Sequence, residues 1–314
     1  MSCYWPRISD RLRRLHFDVD GTLVKGSGKQ AEASAHAQAF SYAVGTKLGS
    51  GNKPVRPVAE ALAPHEYHGS TDGLILLRLA RAELGVEDVS EEQLEDLMDT
   101  MYDFIAALPD EEVAKGIQPL PGVLDHLERL AELQKKEGDS SNVACGLVTG
   151  NVEGIARRKM RAVGVYQTGA LAPPAAEQLQ KSWRGAEQIG FMGGFGSCFC
   201  SRNINDFARN HLDRGEQIAI AARRCQSTLK NDKVLSRVVH VGDAPADVLA
   251  AKAFAHSLTD NQDDMCVGMV AVATGSYGAE ELQKAAGEPR PGRWEPVILE
   301  DGMADKFFLE ACGL

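Results

Sequence analysis

The run Leu15-His16-Phe17-Asp18-Val19-Asp20-Gly21-Thr22 decides how this chain is read. Leu15 to Val19 is short and apolar, as a buried strand is, and the next residues form the turn leaving its carboxyl end. In extended chain Asp18 and Asp20 would point to one face. Two carboxylates held together at the end of an apolar strand are costly unless they share a proton or a cation, and a metal is the usual solution.

Working outward, Val143 to Thr149, Arg237 to Val241 and Gly268 to Ala273 also read as short, Val-rich strands. Helical periods separate them: Val123, Leu124, Leu127 and Leu130 share one face, as do Ile218, Ala221 and Ala222. Strands too apolar for a half-solvated sheet, alternating with helices, predict an α/β core with a doubly wound parallel sheet. Such a core binds ligands beyond the carboxyl ends of its strands.

Residues 26–118 behave differently, showing helical periods and no convincing strand. Ser90 and Gln93 make a capping-box pattern ahead of Leu94, Leu97, Met98, Met101, Phe104, Ile105 and Leu108, and Thr71-Asp72 can open another helix through Leu74, Leu77, Ala80 and Leu84. The simplest organisation is a core of residues 1–25 and 119–314 with an all-helical cap, 26–118, inserted after the first strand. Thr168 to Glu187 and Gly193 to Leu212 read as loop excursions. The second lacks the spacing of a phosphate loop.

Composition bounds the function. A net charge of -10 and a pI near 5.4 argue against a general grip on nucleic acid, and Arg11 to Arg14 reads as a solvated basic arm. No apolar run is long enough to span a membrane and no signal-peptide pattern opens the chain, so a soluble, cytoplasmic protein is expected. Seven cysteines without framework spacing suit a reducing compartment, and the lone Cys198-x-Cys200 pair offers no zinc site.

The chemistry gathers at three strand ends. Asp18, the backbone of Asp20, and Asp243, which closes Val239-His240-Val241-Gly242-Asp243, can supply hard oxygen donors, and Asp247, one helical turn further, can hold a metal-bound water or a basic side chain. Oxygen-only ligation favours magnesium (Mg2+) over zinc. His16 and His240 lie on adjacent strands, set back from the carboxylates, and read as core histidines.

Asp18-Val19-Asp20-Gly21-Thr22, Val148-Thr149-Gly150-Asn151 and Gly242-Asp243-x-x-x-Asp247 resemble, in order, the first, second and last motifs of the haloacid dehalogenase superfamily. The resemblance covers nearly the whole chain. It implies that Asp18 is a nucleophile, Asp20 a general acid and base, and Thr149 a phosphoryl ligand. The family's phosphoryl-binding cation, commonly Lys, falls on Arg214 in Asp213-Arg214-Gly215-Glu216. Lys159 is the rival, but about ten residues at 1.5 Å each would put it some 15 Å along the helix from Thr149. Arg214 is favoured.

The Thr-Gly-Asn motif and the run Val272-Ala273-Thr274-Gly275-Ser276-Tyr277 make the chain most similar to phosphoglycolate phosphatases, with a helical cap. The resemblance implies hydrolysis of a small phosphomonoester through an aspartyl-phosphate on Asp18, with a phosphorylated metabolite as partner. Gly150 and Asn151 belong to the phosphate side of the site. His68, Ser70 and Thr71, before a predicted cap helix, are candidate contacts to the leaving group. Asp20 and Asp243 argue against dehalogenation, which needs neither. A phosphomutase of the beta-phosphoglucomutase type, or a phosphate-binding protein without turnover, would keep the same carboxylates.

Overall fold

In the computed structural model, which describes residues 11–26, 34–51, 53–137, 142–171, 193–228, 234–258 and 265–314, the chain alternates strands and helices as its apolar pattern requires. In chain order these are β1 (Arg11–Phe17), β2 (Val24–Gly26), α1 (Ala35–Lys47), α2 (Val58–Ala61), α3 (Pro64–Tyr67), α4 (Asp72–Leu84), α5 (Glu91–Ala106) and α6 (Asp110–Ala114). Next come β3 (Ile117–Pro119), α7 (Val123–Glu137), β4 (Val143–Thr149), α8 (Glu153–Ala162), β5 (Gly194–Phe195) and α9 (Asn210–Thr228). The last are β6 (Val234–Gly242), α10 (Pro245–Ser257), β7 (Cys266–Val272), α11 (Ala279–Ala286), β8 (Trp294–Leu299) and α12 (Phe308–Ala311).

The main sheet runs in the order β5, β4, β1, β6, β7, β8, and each neighbouring pair is parallel. Its two faces are both covered, because side chains alternate along each strand. Val270 and Val272 of β7 join Leu127 and Leu130 of α7 and Phe308 of α12 on one side. Val267, Met269 and Ala271 join Ile218 and Ala221 of α9, Val248 of α10 and Leu282 of α11 on the other. The predicted doubly wound α/β core is therefore the observed one.

Helices α1 to α6 lie between β2 and β3 in sequence and share an apolar cluster of their own, built on Ala39, Phe40, Leu74, Leu76, Leu79, Leu97 and Met101. The capping box opens α5 as expected: Gln93 N donates to Ser90 Oγ at 3.1 Å and Ser90 N to Gln93 Oε1 at 2.8 Å. Two corrections apply to this block. Its ends are not helical, since β2 and β3 pair as an antiparallel ribbon through Val24–Pro119, Lys25–Gln118 and Gly26–Ile117. Its apolar cluster also takes in Val152 and Ile155, from around the start of α8, and Ile204.

Two further readings change. Arg11 to Arg14 is not a solvated arm: it is the first half of β1, and Arg14 is fully buried, facing Cys225 of α9. A basic run conceals a strand here because alternate residues face opposite ways. The stretch 193–212 is not simply a loop, since it supplies the edge strand β5 and the first residues of α9. It also ties the helical block to the core: Arg78 Nε of α4 donates to Ile204 O at 3.3 Å, and Gly196 N donates to Asn151 O at 2.9 Å. Most of the other excursion, residues 172–187, lies outside the described residues.

Candidate active site

β4, β1 and β6 are neighbours, so Thr149 at the end of β4, Asp18 just past β1 and Asp243 just past β6 come together at one edge of the sheet. The ladder continues one residue beyond β1, with Asp18 N donating to Val241 O at 2.9 Å. Gly21, at φ 82°, turns the chain, and any Cβ there would strike the Asp243 carboxylate.

Asp18, Asp243 and Asp247 are all buried and each offers an oxygen within 4.8 Å of the others. Burial and the neighbouring carboxylates push Asp18 up to about 6, and Asp243 is raised well above the ordinary carboxylate range for the same two reasons. Burial also opposes ionisation of Asp247, but Arg214 and His240 outweigh it and lower its pKa. Arg214 Nη1 donates to Asp247 Oδ1 at 2.6 Å and lies 3.1 Å from Asp18 Oδ1, the latter an ion-pair contact without hydrogen-bond alignment. Burial works against the guanidinium charge, yet Asp18 and Asp247 hold Arg214 protonated.

One guanidinium against three carboxylates leaves this buried cluster two charges short of neutrality when all are ionised. Among the described residues, Asp18 Oδ1 also has no hydrogen-bond donor. Hard oxygens, an excess of negative charge and a buried carboxylate oxygen without a hydrogen-bond donor suit a divalent cation such as Mg2+. Thr22 Oγ1 steadies Asp243 by donating to its Oδ1 at 3.2 Å.

Asp20 is placed apart from that cluster. Its carboxylate accepts from Lys159 Nζ at 2.8 and 2.7 Å and from Asn151 Nδ2 at 2.9 Å, leaving its backbone as what it can offer a cation. Burial raises its pKa, but Lys159 and His36 prevail and hold it at about 2. The sequence estimate of Lys159 as too distant is thus corrected. α8 starts only at Glu153 and runs back over the site, so Lys159 reaches Asp20 and meets Asn151 Oδ1 at 3.0 Å and His36 Nδ1 at 2.8 Å.

Of the remaining sequence candidates, Gly150 lies against the loop before α4. Thr149 is buried and its Oγ1 accepts from Asn151 N at 3.3 Å. A Cβ on Gly150 would lie 2.6 Å from Ser70 O and 3.0 Å from Arg214 Nη2, so a glycine there lets the loop before α4 and the arginine both approach. Asp72 N donates to Gly150 O at 2.8 Å. Ser70 Oγ is taken up by Arg78 Nη1 at 2.8 Å and Asn210 Nδ2 at 3.1 Å, whereas Thr71 Oγ1 is buried without a partner among the described residues. His68 is exposed, and such burial as it has lowers its pKa.

Sequence reasoning missed His36 and read Asp72 only with the polar residues that open α4; the two meet at 3.1 Å beside Lys159, and Asp72 Oδ2 also accepts from Val152 N at 2.7 Å. His240 is a fully buried core histidine as expected, but its contact with Asp247, Nε2 to Oδ1 at 3.3 Å, went unseen. The signal was available for His240: it precedes Gly242 by two residues on one strand face, and Gly242 leaves the room that Asp247 fills.

Residues 13–255 match the family model of haloacid dehalogenase-like hydrolases. No curated protein matches the sequence. Among solved structures the chain is similar to an archaeal beta-phosphoglucomutase from the hyperthermophile Pyrococcus sp. strain ST 04, at 14% identity, covering 82% of this chain and 86% of that one, with a TM-score of 0.30.

Proposed function

The chain belongs to the haloacid dehalogenase-like hydrolases, and from that premise we propose that it is a magnesium-dependent phosphatase acting on a small phosphomonoester through an aspartyl-phosphate on Asp18. The observation that carries the reading is the buried Asp18, Asp243 and Asp247 cluster with Arg214 set against Asp18. In this reading residues 1–25 and 119–314 form the core, and 26–118 the cap. The substrate class is that of the phosphoglycolate phosphatase-like branch.

Asp18, the backbone of Asp20 and Asp243 would hold the cation, with Asp247 beside it. When bound, the cation offsets the repulsion between the carboxylate and the phosphoryl group. An Asp18 carboxylate oxygen attacks phosphorus and the bond to the leaving oxygen breaks; Asp20, ionised while Lys159 holds it, takes up a proton as bound substrate displaces that lysine and passes it to the leaving oxygen. Water then attacks the acyl phosphate, Asp20 takes its proton, and Asp18 is released with inorganic phosphate. Arg214, Thr149 and the backbone at Gly150 and Asn151 hold the phosphoryl oxygens. His68 and Thr71 would meet the leaving group, while Ser70, whose hydroxyl is held by Arg78 and Asn210, would support their loop.

Release of phosphate from p-nitrophenyl phosphate with Mg2+ tests the reading. Activity should disappear with a chelator and in Asp18→Asn, whose fold survives by circular dichroism. Undiminished turnover in that variant would remove Asp18 as nucleophile, and product analysis with a sugar phosphate separates hydrolysis from phosphoryl migration.

A further inference from the structure

β1 and β6 pair in register at His16 and His240, so both imidazoles project from the same face of the sheet, toward α9 and α10, and both are fully buried. Gly242, two residues after His240, faces the same way. A Cβ at Gly242 would lie 2.6 Å from Asp247 Cγ, so the missing side chain is what lets the Asp247 carboxylate settle against β6. There its Oδ2 accepts from Ala244 N at 3.1 Å, while Oδ1 is shared by His240 Nε2 at 3.3 Å and Arg214 Nη1 at 2.6 Å.

Among the described residues His240 has no other side-chain hydrogen bond: its Nδ1 has no partner, nor does either nitrogen of His16 beside it. Its one polar contact is therefore with an acceptor, which requires the ring hydrogen on Nε2. Arg214 is equally dependent, since its Nε has no partner there and Asp247 accepts the hydrogen bond that fixes its fork beside Asp18. A histidine that no motif names thus closes a chain of contacts from the sheet interior to the reacting carboxylate.

We propose that His240 is a positioning residue for Arg214, acting through Asp247. The proposal rests on the phosphatase reading and deepens it: one buried N–H donor fixes the carboxylate that in turn fixes the phosphoryl-binding guanidinium. Outer partners of this kind commonly influence activity by about 10-fold or more.

Three variants separate positioning from packing. In His240→Gln the amide nitrogen stands three bonds from Cβ, where imidazole Nε2 stands. In His240→Asn it stands two bonds away, at the place of Nδ1, and His240→Leu fills the space without a donor. With Mg2+ and p-nitrophenyl phosphate, Leu and Asn should raise the inhibition constant of inorganic phosphate and lower kcat/KM by about tenfold, while Gln restores both to within about threefold of wild type. Thermal midpoints of the Gln and Asn proteins should agree, so that rescue is not a stability effect. Equal behaviour of Gln and Asn overturns the proposal even if Leu fails to fold, as does a folded Leu variant with unchanged constants. A wild-type protein that neither turns over the aryl phosphate nor binds inorganic phosphate fails differently, and removes the phosphatase reading beneath.

Discussion

Lys159 Nζ lies 2.8 and 2.7 Å from the two carboxylate oxygens of Asp20, while the cation beside Asp18 is Arg214, at 3.1 Å. The site thus holds two cations with separate charges to meet. Arg214 is built into the carboxylate cluster from α9, and Lys159 reaches the proposed acid from α8. The same ammonium touches His36 of α1, so the position of Asp20 is tied to the helical block as well as to the core.

That separation predicts different defects for the two cations. Arg214→Met should lower kcat/KM for every phosphomonoester by about 10²-fold or more, because it removes a charge from the phosphoryl group itself. Lys159→Met should spare p-nitrophenyl phosphate, whose leaving group departs without a proton. An alkyl phosphate, which needs Asp20 as an aligned acid, should slow by about 10²-fold, with its pH profile moved upward because Asp20 loses the charge that holds its pKa down. Steady-state kinetics on the two substrates decide it, and equal losses in the Lys159 variant would place that lysine on the phosphoryl group instead.

The carboxylate cluster predicts a pH dependence for metal binding. Asp18 is raised from 3.8 to about 6 in the folded protein and Asp243 is raised well above 3.8. Carboxylates shifted upward contribute stability that is complete below pH 3.8 and is lost as the pH rises through about 6 and beyond. Without metal, Asp243→Asn should therefore be more stable than wild type at pH 7.5 and gain nothing at pH 4. Mg2+ should raise the thermal midpoint of the wild type at pH 7.5 far more than at pH 5, since its ligands must lose their protons. A midpoint shift independent of pH would show that these carboxylates do not share the ion.

Arg78 predicts a stability effect without a catalytic one. It is 1% exposed, and its guanidinium donates to Ile204 O, Ser70 Oγ, Asn210 Oδ1 and Glu66 O. Arg78→Met leaves these acceptors unsatisfied between α4 and the start of α9, and should cost about 2–3 kcal/mol in urea unfolding. A loss below about 0.5 kcal/mol would mean that the stretch 193–212 does not pin the helical block.

The core and its acidic residues were legible because apolar runs and aspartates at strand ends carry strong local signals. Val143 to Thr149 is a strand at the bounds its Val and Leu content suggests, and Asp18 and Asp243 stand where the chain leaves the sheet. β8 was not legible: it is an edge strand holding Glu295 and Pro296, whose missing N–H such a position tolerates. β5 has only two residues, too few for any period. Arg14 was misread because charge outweighed alternation, although its neighbour Leu12 is buried too. Lys159, His36 and Asp72 depend on how α8 is set against the helical block, and no local pattern encodes that.

The loop before α4 should set substrate choice, and its three polar residues should do so unequally. Ser70 is engaged inward by Arg78 and Asn210, so Ser70→Ala should weaken the fold by about 1 kcal/mol and affect all substrates alike. Thr71 Oγ1 is buried without a partner among the described residues, beside Gly150, which Arg214 Nη2 also approaches. His68 stands exposed at the start of the same loop, against the ring of Tyr67 at 4.4 Å. A group that waits for a partner gains one when a leaving group occupies the site, and a small aryl phosphate offers it little. His68→Ala and Thr71→Ala should therefore raise KM for the physiological phosphomonoester by about tenfold and leave p-nitrophenyl phosphate within about twofold. The comparison needs only kcat/KM for the two substrates and a thermal midpoint for each variant. Losses of equal size on both substrates would assign these residues to the phosphoryl site, and no loss on either would show that the loop faces solvent.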